Sequence, residues 1–521
     1  MSVDPISLAV FRSLFASVAE EMGVTLQRAA FSPNIRERLD FSCAVFDSQA
    51  RMVAQAAHIP VHLGSMPASV QSAVEAFMTF KQGDVIILND PYRGGTHLPD
   101  VTMVSPIFAD DSDKVDYFVA SRAHHADVGG MSPGSLPLST ELYQEGIIIP
   151  PIKLVDGGIM QANVLTLITA NSRAPEERLG DLEAQLASHR TGERRLRGML
   201  DKHGLESVNA HADALLDYSR RMTEATIGNI PDGNYQFSDA LEGDGQRDFD
   251  IPIVVTIRVN GTSMDVDFTG SAPQVAGNVN AVQAIVRSAT WYCVRLLAED
   301  DIPVNQGCFE PVTVITPEHS VLNPDFPAAV SVGNTETGQR VVDTVLGALA
   351  QALPTVIPSA SQGSMNNLTV GGFVDGQQFV YYETIAGGHG AGSLGDGMSG
   401  RHSHMTNTLN TPVEALEYSL PLRLWEYSLR DDSGGNGRFR GGDGIRRTYE
   451  FLTPATVTIN SERRVNAPYG LQGGDAGKQG VNQLTPKDGE SYSVGGKYTT
   501  QVKAGDKLSI ETPGGGGWGE K

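Results

Sequence analysis

Histidine is unevenly spread through the 521-residue sequence: five of its twelve copies lie between His58 and His125, and three between His389 and His404. In the first group, NDPYRGGTHLPD sets His97 and Asp100 three residues apart in a polar stretch between two apolar runs. The next apolar run leads into RAHHAD, which carries His124, His125 and Asp127. Two imidazoles and a carboxylate with open positions beside them suit a divalent Mn, Fe or Zn ion that keeps room for water or substrate. A lone His-x-x-Asp usually only caps a turn. What matters here is convergence, with His97 and Asp100 arriving in one loop and His124 at the end of a neighbouring strand. Asp127 reads as a ligand or as an acceptor for the second N–H of a metal-bound imidazole. His125 and Asp127, beside the ligands, are the candidates for moving a proton. His58 and His62, in AAHIPVHLGSMP, are the next candidates for the pocket.

The second group lies in YETIAGGHGAGSLGDGMSGRHSHMTNTLNTPVE, a donor-rich loop with Asp396, His402, His404, Asn407, Asn410 and Glu414. Its GHGAGSLG is formally a GxGxxG at Gly390, Gly392 and Gly395, but neither a helix nor a ribose-binding acid follows at the needed spacing. GGDAGKQG, around Lys478, lacks the first glycine and the Ser or Thr of a P-loop. The chain therefore carries no recognisable nucleotide site of its own. GMSPG, residues 130–134, resembles a nucleophile elbow only on paper, because Pro133 has no N–H for an oxyanion hole. Cys43 sits in an apolar strand, where burial raises a thiol pKa.

The elements that must position these residues are readable from periodicity. Asp4 caps and Pro5 starts a first helix, whose expected apolar face is Ile6, Val10, Leu14, Val18, Met22 and Leu26. A strand is expected over 41–47 and a helix over 67–80. Three short strands follow at 84–88, 101–108 and 117–123, with connections short enough to make them neighbours. Residues 172–229 read as a helical arm or hairpin. Strands at 251–259 and 264–268 and helices at 281–297 and 340–353 follow. From about residue 378 short β runs alternate with glycine-rich turns. This is an α+β chain of several lobes, divided at 1–170, 171–230, 231–377 and 378–521.

Composition narrows the partners. Sixty-one acidic against 39 basic residues give a net charge of −22, a field that repels nucleic acid and anionic membrane. Lacking a basic leader and any 18-residue apolar run, the sequence is expected to be cytoplasmic. Three separated cysteines fit a reducing compartment and argue against a disulfide scaffold or a thiolate zinc site. Of the 57 glycines, 27 fall in the last 141 residues. They are expected to form tight turns of a β-rich region shaping the pocket wall and a partner interface.

Taken together, EMGVTLQRAAFSPNIRERLDFSCAVFD, AQAAHIPVHLGSM, NDPYRGGTHLPDVTMVSPIF, AHHADVGG, GNTETGQRVVD, SGRHSHMTNTLNTPVEALE, LRDDSGGNGRFRGGDG, SERRVNAPYGLQGG and PGGGGWG resemble the hydantoinase B family over essentially the whole chain. That family includes the small subunit of ATP-dependent N-methylhydantoinases, the C-terminal half of 5-oxoprolinases, caprolactamase subunits and the alpha-type subunits of ketone carboxylases. The resemblance implies a larger hydantoinase A type partner that binds ATP-Mg, in an obligate hetero-oligomer such as a heterotetramer. It also implies a metal held by His97, Asp100 and His124, since the alpha-type subunit of acetone carboxylase holds Mn through the matching positions. The expected activity is ATP-dependent opening of a small cyclic amide such as a hydantoin, 5-oxoproline or a lactam. The alternatives are an alpha-type subunit of an acetone or acetophenone carboxylase, and a non-catalytic partner of the ATPase. The compact length and the HLPD and AHHAD wording favour the first.

Overall fold

The computed structural model describes residues 3–56, 59–109, 113–298 and 302–521. Its first sheet has seven strands: β1 Phe41–Asp47, β2 Met52–Ala56, β3 Val85–Leu88, β4 Asp100–Ile107, β5 Tyr117–His124, β6 Ile152–Asp156 and β7 Ile159–Met160. They are ordered β2-β1-β5-β4-β3-β6-β7, and every pairing is antiparallel. The three strands expected to be neighbours are indeed adjacent, as β3, β4 and β5. Both faces of this sheet are covered. Cys43, Val45 and Val119 pack against the helices Pro5–Ala29 and Pro175–His203, while Ala44, Phe46 and Val104 pack on the side of the helix Met66–Ala76. Burial on both faces explains why FSCAVFD reads as a continuous apolar run rather than an alternating one.

The first helix begins as expected, with the Asp4 carboxylate accepting from the N–H groups of Ile6 and Ser7 at 3.0 and 3.1 Å. Its buried face differs. Ile6 is 79% and Val10 49% exposed, and Phe11 and Phe15 are buried instead. At 3.6 residues per turn, positions exactly four apart advance about 40° round the axis at each step, so a strict four-residue series winds off one face. The charged stretch after residue 172 forms the helices Pro175–His203 and Leu205–Gly228, joined at Gly204.

A four-stranded sheet follows, in the order 312–315, 263–267, 250–260, 233–242, and the helix Gly338–Ala352 packs on it. Immediately before this helix the chain makes a π turn, Gly333–Thr337. The last third contains a four-stranded and a five-stranded sheet. Leu368, Val370, Val457 and Ile459 of the former share a core with Tyr449, Phe451, Leu508 and Ile510 of the latter. The whole is a mixture of helices with several sheets, as the α+β reading expects.

Candidate metal centre

Pairing of β4 with β5 assembles the site. Asp100 is the first residue of β4 and His124 the last of β5, and they stand opposite one another in the ladder. His97 precedes β4 in a turn shaped by its own polar residues. The Asp90 carboxylate accepts from the Tyr92 N–H at 3.0 Å, and the Asn89 amide donates to the Leu98 carbonyl at 2.8 Å. One ligand-capable atom from each of His97, Asp100 and His124 lies within 4.8 Å of the others, and all three residues are buried.

The charge states of Asp100 and His124 suit a cation, while His97 has to give up a proton to join them. Burial opposes ionisation of Asp100, but His97 and His62 outweigh it and hold the carboxyl well below the usual carboxylate range. Burial also opposes charge on His97, where the Asp100 carboxylate wins and raises the imidazole. Burial and the neighbouring His97 push His124 well below the usual imidazole range, so it is neutral and has a lone pair to offer. Asp100 Oδ2 accepts from Thr96 Oγ1 at 2.6 Å and from the Asn334 amide at 3.1 Å. Asp100 Oδ1, His124 Nε2 and Asn334 Oδ1 are buried and make no hydrogen bond. A buried polar atom without a partner costs about 1–3 kcal/mol. These three residues line one cavity of about 20 Å³, room for an ion or roughly one water. By chemistry and by unpaired atoms, the triad fits a divalent metal.

Its surroundings hold the ligands in place. His97 Nδ1–H donates to the Ser331 carbonyl at 2.9 Å, which leaves a lone pair on Nε2. Nδ1 of His124 faces the Asn34 amide nitrogen at 3.3 Å, and Asn34 Oδ1 accepts from Arg38 at 3.2 Å. For His124 to present a lone pair at Nε2, the Asn34 amide has to turn and accept from Nδ1–H. Tyr382 stacks on the His124 ring at 4.6 Å, and the Arg38 guanidinium lies 4.7 Å from the Tyr382 ring centre. The Tyr382 hydroxyl donates to Asn367 Oδ1 at 3.0 Å.

Of the other expected residues, His62 reaches the cavity. Its Nδ1 is 3.0 Å from Ser42 Oγ and its Nε2 is 3.7 Å from Asp100 Oδ1. His58 lies outside the described residues. His125 and Asp127 are not brought to the triad. Next to His124 on an extended backbone, His125 faces the other way, with Nε2 3.0 Å from the Gln185 Oε1. Burial and the Arg178 charge push it down to about 3, so it is neutral. The Asp127 carboxylate is used up structurally. It accepts from the N–H groups of Gly129 and Gly134, both at 3.1 Å, and from the Arg173 N–H and guanidinium, both at 2.9 Å.

The second histidine segment supplies a wall through Met405, Thr406 and Thr408, not through its histidines. His389 Nε2 donates to the His402 carbonyl at 2.8 Å, and His404 Nε2 is 3.9 Å from Asp343. Asp396 accepts from the Arg440 N–H at 2.7 Å, and Asn410 donates to Glu383 at 2.7 Å. Asn407 is exposed, and neither it nor Glu414 lines the cavity. Cys43 is buried and its thiol is pushed up to about 12, as its apolar strand implies. Asn34, Arg38, Asn334 and Tyr382 escaped the residue-by-residue reading. Asn34, Arg38 and Asn334 lie in segments that carry the family resemblance, and Tyr382 opens the second histidine segment.

A seven-stranded antiparallel sheet thus gathers a buried His-Asp-His group at the ends of two neighbouring strands, and the chain belongs to the hydantoinase B/oxoprolinase family, whose model matches residues 4–521. Among its relatives, 5-oxoprolinase 1 of Arabidopsis thaliana is 41% identical over 99% of this chain, which spans only 42% of that protein. A Pseudomonas sp. (strain NS671) protein assigned as the B-type subunit of a D-/L-hydantoinase is 32% identical, over 99% of this chain and 90% of its own. The crystal structure of ATP-dependent caprolactamase from Pseudomonas jessenii superposes with a TM-score of 0.93 at 29% identity, covering 100% of this chain and 92% of that one.

Proposed function

We propose that this chain is the catalytic subunit of an ATP-dependent cyclic amide hydrolase, opening a hydantoin, 5-oxoproline or lactam ring beside a larger ATP-binding subunit. The observation that carries the reading is the buried convergence of His97, Asp100 and His124 in a chain of this family. The match to a relative assigned as one subunit of a hydantoinase supports a partner, and the ATP-dependent caprolactamase neighbour supports both the ring class and the need for ATP.

In this reading His97 Nε2, the Asp100 carboxylate and His124 Nε2 hold a divalent Mn, Zn or Fe ion. Such an ion polarises a carbonyl and lowers the pKa of a water from ~16 toward ~7. The chain's own residues do the rest. Ser331 and Asn34 orient the two imidazoles, Tyr382 backs His124, and Met405, Thr406 and Thr408 keep bulk water out. His62 takes over the proton-handling role expected of His125 and Asp127. Its Nε2 faces the cavity beside Asp100 while Ser42 holds Nδ1, and a positioned imidazole of this kind is the usual general acid or base.

The test is to co-express the chain with its cognate large subunit and measure ADP release with hydantoin, 5-oxoproline, lactam and ketone-plus-bicarbonate panels. Release with one of the cyclic amides is expected. Release with the ketone panel alone sinks the reading in favour of a carboxylase. Elemental analysis of the same sample is expected to find close to one divalent transition metal per chain, falling below about a tenth of an equivalent in His97→Ala and His124→Ala.

A further inference from the structure

Asn334 occupies an unusual place for a neutral side chain. Its amide nitrogen is 3.1 Å from His97 Nε2 and 3.1 Å from Asp100 Oδ2. The first is the atom through which that imidazole would hold an ion and the second belongs to the carboxylate that would share it, so the NH₂ group sits beside the place of a cation bound to both. Its carbonyl oxygen, meanwhile, is buried without a hydrogen bond, and the residue lines the same small cavity. An amide that donates with one end and has nothing to accept with the other is half satisfied. Turning it about Cβ–Cγ exchanges the two ends and brings the oxygen to face the triad. Amide oxygens are ordinary ligands of hard divalent ions.

The backbone points the same way. Asn334 lies in the π turn Gly333–Thr337 that precedes the helix Gly338–Ala352. π turns are rare and occur frequently at functional sites. This one is clamped. The Gly333 N–H donates to the Val330 carbonyl at 3.0 Å, and the Thr337 hydroxyl donates to the Val279 carbonyl. A Cβ at residue 333 would lie 1.9 Å from the Asn280 carbonyl oxygen, so the turn is seated directly on a neighbouring backbone. Asn334 is therefore held at the triad by rigid main chain and keeps only its own side-chain torsions free.

We propose that Asn334 is the fourth protein group of the metal centre, binding the ion through Oδ1 after its amide turns. This rests on the reading of His97, Asp100 and His124 as metal ligands, and it adds a residue from a segment with no histidine or acid of the triad.

The experiment strips the purified full-length chain with chelator and titrates it with Mn²⁺ and Co²⁺, following affinity by calorimetry and the ligand field by the visible Co²⁺ spectrum. Asn334→Ala is expected to bind each ion roughly 10- to 100-fold more weakly and to change the Co²⁺ spectrum. Asn334→Asp, which keeps an oxygen in place, is expected to bind at least as tightly as the native chain, and it carries the test if the alanine variant does not fold. Unchanged affinity in Asn334→Ala overturns the proposal, as does weaker binding with an unchanged Co²⁺ spectrum, which would make Asn334 an orienting group only. His97→Ala is the separating control. If it binds metal like the native chain, the triad reading itself falls. If it loses metal while Asn334→Ala does not, only the role of Asn334 falls.

Discussion

Asp127 and His62 show how closely similar residues part company once their neighbours are known. In sequence Asp127 stands three residues from His124 and His62 stands far from the triad. In the fold, Asp127 spends its lone pairs on Arg173 and on turn N–H groups, while His62 faces the carboxylate of Asp100. Asp127→Ala should therefore damage the fold more than the chemistry. It would strand a partly buried guanidinium and three backbone donors, at a cost of about 2–4 kcal/mol. Urea unfolding at pH 7 measures this. An Asp127→Ala chain of native stability with activity abolished would restore the proton-handling role to it. His97 and Asp100 were legible because a three-residue spacing and a metal-suited donor set are both local. Asn334 was not, since it meets Asp100 from 234 residues away.

At the scale of elements, the helix that follows the π turn is tied to the central sheet by buried charge. Asp239, on the strand Gly233–Glu242, pairs with Arg340 of that helix at 3.0 Å and with Arg463 at 2.6 Å. Arg463 in turn pairs with Asp343 at 2.6 Å. Burial raises the Asp239 carboxyl, but the two guanidiniums outweigh it and hold it well below the usual carboxylate range. A carboxyl whose folded pKa lies below its unfolded value of about 3.9 stabilises the fold fully above that value. The contribution fades as pH falls from there toward the folded pKa. The stability gap between the native chain and Asp239→Asn should therefore be constant from pH 7 to about pH 5 and shrink below about pH 4, read by urea unfolding at each pH. A gap that does not change with pH would show that Asp239 acts by packing alone. The boundaries of these elements were mostly legible, as with the helix expected at 340–353 and found at Gly338–Ala352. The π turn before it was not, because no composition marks one, and it exists through contacts with residues 279 and 280.

For the whole molecule, the glycine excess has a different origin from the one expected. Of the 27 glycines in the last 141 residues, only Gly400, Gly473, Gly505 and Gly519 have the positive φ of a glycine-requiring turn. Most of the others lie where backbones press together. The run PGGGG, residues 513–517, threads between chain segments. Gly515 donates to the Gly442 carbonyl and accepts from the Gly435 N–H, and Gly516 donates to Ala360 and accepts from Ala391. A Cβ on Gly515 would meet the His389 carbonyl oxygen at 1.9 Å. Gly515→Val is thus expected to lower the thermal midpoint by many degrees and to expose the 389–442 region to protease. A native melting curve would refute this account of the run. No helix among the described residues is long and apolar enough to cross a membrane, in keeping with a net charge of −22 spread along the chain.

What the amino-acid order determined by itself is whatever local physics decides. That covers the long helices and the strands β1, β3, β4 and β5 to within a few residues, the adjacency of β3, β4 and β5 through short connections, and the convergence of His97, Asp100 and His124 at the ends of two of them. The recurrence of many motifs in one order carried the family. Only the tertiary structure decided which polar residues face the cavity beside Asp100 and His124 and which are consumed by the fold. Side-chain direction at a strand end, a half-satisfied amide on a π turn and a glycine pressed against a distant carbonyl all depend on partners tens to hundreds of residues away. No spacing within a motif encodes them.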